Sequence, residues 1–163
     1  MFFIYLLQVM YTTLLFLHSV TRWFVLASLL YSIVLAFKGY ISGSRFSKTD
    51  NAFRHWTATL SHIQLIIGVI LYIKSPIIRF FYANYESAKA NAEISFFVEI
   101  HSTLMLISVV VLTVGSALAK RKTADREKFR TMLFWFSLAL IIILIAIPWP
   151  FSPLASRPYL RHL

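Results

Sequence analysis

Four long runs of mainly apolar residues, at about 13–37, 56–75, 95–119 and 131–150, constrain this 163-residue chain more than any other feature. Each is long enough for a helix crossing a hydrocarbon core, which takes about 20 residues. In a bilayer, backbone groups have no water to bond, so runs of this kind must close their hydrogen bonds as helices. The composition agrees: 59% of residues are hydrophobic and 13% charged, whereas soluble domains carry about 25% charged residues. The expected fold is all-α, one integral membrane domain over 1–163, with four transmembrane helices in an up-down-up-down bundle.

The net charge is +10, which in a soluble protein would point to nucleic acid. Here the cations sit between the apolar runs, so they set orientation and no nucleic-acid partner is expected. The segment KGYISGSRFSKTDNAFRH (38–55) carries Lys38, Arg45, Lys48 and Arg54 against Asp50. KRKTADREKFR (120–130) carries six cations against Asp125 and Glu127. The middle connection, 76–94, is balanced: Arg79 and Lys89 face Glu86 and Glu93. The positive-inside rule then keeps the first and third connections cytoplasmic and both termini periplasmic. Trp56, Trp149, Tyr72 and Tyr82 fall near helix ends, where amphipathic rings favour the interface. The tail, 151–163, continues a stretch with four of the five prolines, so the fourth helix must stop near Ile147.

Residues 1–12 are uncharged and largely apolar. A straight helix over 2–37 would measure about 54 Å, well beyond a bilayer. This segment is therefore read as tilted or bent into the interface, or as a docking surface for a partner subunit.

There are no cysteines, which excludes disulfides, thiolate metal sites and covalent haem attachment. The polar residues inside the spans are His18 and Arg22 in the first, His62 and Gln64 in the second, and Glu99 and His101 in the third. Such residues mark a site by default. His55, at the cytoplasmic edge, and His162, in the tail, read as ordinary solvated residues. Counted from the cytoplasmic end at 1.5 Å per residue, His18 lies about 28 Å up, His101 about 27 Å and His62 about 10 Å. In a four-helix bundle the first and third helices are diagonal neighbours, roughly 14 Å apart. Two histidines level across that gap suit the iron of a flat macrocycle. Alternatively, each bonds to serine, threonine or backbone.

Ser108 and Gly115 follow His101 at intervals of seven and would leave room in the bundle. Without cysteine the group would be one non-covalent haem b with two histidine ligands. Zinc is disfavoured because it takes three or four protein ligands. Arg22 needs an anion, either a haem propionate or Glu99. His62 and Gln64, two positions apart, face different ways. His62 either bonds to another helix or lines a quinone pocket. No nucleophile–base–acid set stands out, so a stand-alone enzyme is not expected.

The stretches LHSVTRW, SHIQLIIGVILYIKSP, FFVEIHSTLML and AIPWPF together resemble a bacterial family of short four-helix membrane proteins labelled "cytochrome B". The resemblance covers nearly the whole chain and implies a histidine on each of the first three helices, matching His18, His62 and His101. The pattern is also similar to one four-helix half of haem A synthase, which implies His18 and His101 as the haem-ligating pair. The expectation is a b-type electron-transfer protein of the bacterial inner membrane, a subunit of a larger complex. The alternative is an accessory subunit without haem.

Overall fold

The computed structural model describes residues 2–153 and 155–160, so His162 lies outside the described residues. The described chain is helical and contains no strand. Helix α1 (Phe2–Ser42) runs 41 residues without a break, and Gly43 closes it at φ 64°, the left-handed conformation that ends many helices. Helix α2 (Lys48–Lys74) starts eight residues before the expected span. Its start is fixed by a capping box: the Ser47 N–H donates to Asp50 Oδ2 at 2.8 Å, and the Asp50 N–H donates to Ser47 Oγ at 3.2 Å.

The middle connection is a folded cap rather than an open loop. Pro76 opens α3 (Pro76–Ala83), where its missing N–H costs nothing. Helices α4 (Tyr85–Lys89) and α5 (Ala92–Ser95) follow. Ile78, Phe81, Ala88 and Val98 form a small core beneath them. Residues Phe96–His101 then form one π-helical turn leading into α6 (Ser102–Arg121). Helix α7 (Asp125–Ala146) has Asp125 and Glu127 in its first turn, where acids favour the positive end of the helix dipole. It stops two residues before Pro148.

Four helical stretches are long and apolar enough to cross a membrane: Gln8–Ser42, Lys48–Lys74, Ala92–Arg121 and Asp125–Ala146. Their outward faces are apolar. Phe24, Ile66, Phe134 and Ile145 are each at least 60% exposed, which suits lipid and not water. Helix α1 packs on α2 and α7, and α6 packs on the same two, so α1 and α6 face each other across the diagonal.

The core is built from Leu29, Leu112, Met132, Phe136 and their neighbours. Two glycines allow close approach. A Cβ on Gly39 would lie 2.3 Å from Phe129 Cζ, and one on Gly115 would lie 2.2 Å from Trp135 Cβ. The space at Gly115, expected to leave room in the bundle, is therefore filled by Trp135. The reason is that a small residue in a membrane bundle serves close packing first. Ser108 is fully buried as well.

Candidate functional site

His18 on α1 and His101, the last residue of the π turn, meet across the bundle diagonal. Their ring centres are 6.4 Å apart and their planes cross at 70°. Both residues are partly buried. The π turn matters here: one extra residue in the turn changes the direction of the side chains that follow it.

A backbone group fixes the state of His101. Helix α7 ends at Ala146, whose carbonyl belongs to the last turn and has no acceptor role within the helix. His101 Nδ1 lies 2.8 Å from that oxygen. A carbonyl only accepts, so Nδ1 carries the proton and Nε2 keeps its lone pair. This is how metal-ligating histidines are usually oriented. On the other side, His18 Nδ1 is buried without a hydrogen-bond partner among the described residues, a costly state for a polar atom. Phe96 and Phe97 stand about 6 Å from the His101 ring. Gly68 on α2 backs His18, and a Cβ there would come 3.3 Å from His18 Cε1.

Gln64 holds this level of the bundle together. Its Nε2 donates to the His18 carbonyl at 2.9 Å, and its Oε1 accepts from the Thr21 hydroxyl. His62 points elsewhere, with Nε2 2.9 Å from Thr113 Oγ1 on α6. It is exposed on the bundle's outer face.

Arg22 donates from Nη2 to the Tyr159 carbonyl at 2.5 Å, and Trp23 Nε1 donates to the same oxygen at 3.1 Å. Among the described residues Arg22 pairs with no carboxylate, and its Nε is buried without a partner. Glu99 is exposed and is not its counter-ion. The carboxylate used at this end is Glu93, which pairs with Arg157 of the tail, while the Arg157 guanidinium sits 4.7 Å from the Phe97 ring centre. The tail thus folds back over the end of the bundle that holds both histidines.

Two imidazoles facing each other are the donors that a non-covalent haem would need. Two metal–nitrogen bonds of about 2 Å each, plus the ring half-widths, put the centres of two ligating imidazoles about 6 Å apart. No group of three or more His, Asp or Glu side chains converges among the described residues, so the site offers two imidazole donors and no further protein ligand. His18 and His101 would hold the iron, and the free Nε of Arg22 would serve a propionate. A separate apolar groove of about 350 Å³ between α1 and α7, lined by Trp23, Leu26, Ala27, Leu30, Leu140, Leu144 and Trp149, includes neither histidine.

Sequence reading singled out both histidines and Arg22. It missed Gly68, the Ala146 carbonyl, the Tyr159 carbonyl and the Arg157–Glu93 pair. Of these only Gly68, a lone glycine inside an apolar helix, left a readable mark. Comparison with protein families, with characterised proteins and with solved structures gives no match for this chain.

Proposed function

We propose that this chain is a b-type cytochrome subunit of the bacterial inner membrane, holding one haem between His18 and His101. In this reading the bundle runs up-down-up-down with both termini periplasmic, because the basic segments at 38–55 and 120–130 stay inside. The observation that carries it is the pair of imidazoles 6.4 Å apart, one of them held by Ala146 with its Nε2 lone pair available. The motif LHSVTRW and its companions, similar to four-helix haem proteins, support the same pair.

A haem held by two histidines in an apolar shell supplies one-electron transfer. The chain's residues position and shield it. Ala146 keeps the proton on His101 Nδ1. Gln64 fixes the backbone beneath His18. Arg22 would offer its charge to a propionate of the bound group, and the tail limits access of water. Electrons would come from a quinol or a partner subunit.

The test is the absorption spectrum of detergent-purified protein, oxidised and dithionite-reduced. A Soret band that sharpens and shifts on reduction is expected. His18→Ala and His101→Ala should each abolish the six-coordinate spectrum, and His62→Ala should keep it. Colourless protein from haem-sufficient cells would sink the reading.

One observation favours the accessory-subunit alternative. The start of α1 exposes Tyr5 (66%) and Leu6 (53%) beyond the bundle, an apolar surface suited to a neighbouring membrane subunit. Both readings hold together if the neighbour is the redox partner. Solubilisation in a mild detergent followed by native electrophoresis distinguishes a lone chain from a larger complex.

A further inference from the structure

At the opposite end of the bundle from the histidines, three elements enclose a polar groove of about 270 Å³. Its lining comes from the start of α2 with the residues before it (Phe46, Ser47, Lys48, Asn51), the end of α6 (Ala119, Lys120) and the first turn of α7 (Lys128). Lys128 is engaged, 3.2 Å from Asp125 Oδ1. Lys48 and Lys120 have no ion pair or hydrogen bond among the described residues.

Behind the groove lies Arg54, 5% exposed. Among the described residues it bonds only to neutral groups: Nη1 to the Ser116 carbonyl at 3.0 Å and to Ser116 Oγ at 2.6 Å, Nε and Nη2 to Asn51 Oδ1 at 3.1 and 3.0 Å. A buried cation without a carboxylate leaves a positive field at the groove wall. It also orients Asn51. With Oδ1 held by the guanidinium, the amide offers the groove only its N–H donors. Ser47 is likewise spent, its hydroxyl donating to Asp50 Oδ2 at 2.6 Å. The groove therefore presents ammonium and amide donors with no free carboxylate.

We infer that this groove binds an oxyanion of the phosphate class, and that its source is the headgroup of an acidic phospholipid. Three helical spans suited to a bilayer begin or end at it, Phe46 and Ala119 add apolar wall, and basic pockets between membrane helices take such headgroups. The inference does not depend on haem.

The experiment measures binding of phosphatidylglycerol, phosphatidylcholine and inorganic phosphate to the full chain in neutral detergent by native mass spectrometry. Phosphatidylglycerol should bind in preference to phosphatidylcholine. Each lysine removed should weaken it about fivefold, so Lys48→Gln with Lys120→Gln should lose more than tenfold. Asn51→Asp should weaken it by replacing the amide donors with a carboxylate. Arg79→Gln with Lys89→Gln, which lowers net charge equally in the middle cap, should change binding less than twofold. Equal binding of the two lipids overturns the proposal, as does an equal loss in the cap variant. If inorganic phosphate alone binds and is lost in the groove variants, the oxyanion site stands and the lipid is overturned as its source.

Discussion

Gln64 ties α1 to α2 at the level of His18 through two side-chain bonds, one to a backbone carbonyl and one to Thr21. Replacing it with leucine keeps the volume but removes both bonds, leaving the Thr21 hydroxyl with the Leu17 carbonyl alone. We expect Gln64→Leu to cost about 1–3 kcal/mol, read as a lower unfolding temperature in detergent. Gly39 gives a second expectation. Gly39→Ala drives a methyl into the Phe129 ring, and overpacking of this kind costs about 1–3 kcal/mol. The far end of a ring is the obstacle, so adding Phe129→Leu should restore part of the loss; no restoration would mean the strain lies elsewhere. At this scale the sequence was readable where a side chain was out of place. His18, Arg22 and His101 stand out because ionisable groups are rare in apolar runs. The Ala146 and Tyr159 carbonyls carry no such mark, since every residue has one and only tertiary approach selects which is used.

The π turn at Phe96–His101 sets the phase of the middle cap against His101 and α6. Deleting Ile100 would convert it to ordinary α-helix and rotate the preceding residues by about 100° relative to α6, given 3.6 residues per turn. The cap and α6 should keep their helical content by circular dichroism, while Phe96 and Phe97 leave the His101 ring and the absorption of the proposed haem shifts. An unshifted absorption in a helical deletion protein would remove the π turn from the site. Helix ends show why sequence reading placed elements well but bounded them poorly. The apolar run marks only the lipid-buried part of each helix. S-K-T-D at 47–50 is a legible capping box, but it lies inside a basic segment whose charges were read for orientation alone, so α2 was started eight residues late. The π turn has no sequence signature, because FFVEIH would suit an α-helix equally. The folded cap at 76–95 was half legible: Pro76 marks a helix start, whereas the burial of Phe81 and Ala88 follows from packing on Val98.

The whole bundle carries a further expectation. The chain has no cysteine, so single cysteines report exposure without background. In intact spheroplasts, Ser44→Cys and Thr123→Cys should resist a membrane-impermeant maleimide, and Ser87→Cys should react. The reverse pattern would invert the proposed orientation and put the histidine pair on the cytoplasmic side. The diagonal placement of α1 and α6 was foreseeable from four spans with short connections at two of three junctions. The depth of the second span was less so. Gln64 reaches His18, which brings this part of α2 nearer the histidine level than counting from residue 55 implied, because α1 and α2 both extend past their apolar runs.

Helix α1 leaves one matter of proportion. At 1.5 Å per residue its 41 residues make a rod about 62 Å tall, standing in a slab about 30 Å thick. Such a mast either leans hard or rises clear of the surface on one side. A thicker membrane would cover more of it, so the favoured lean, and any companion gripping the bare upper end, should respond to acyl-chain length.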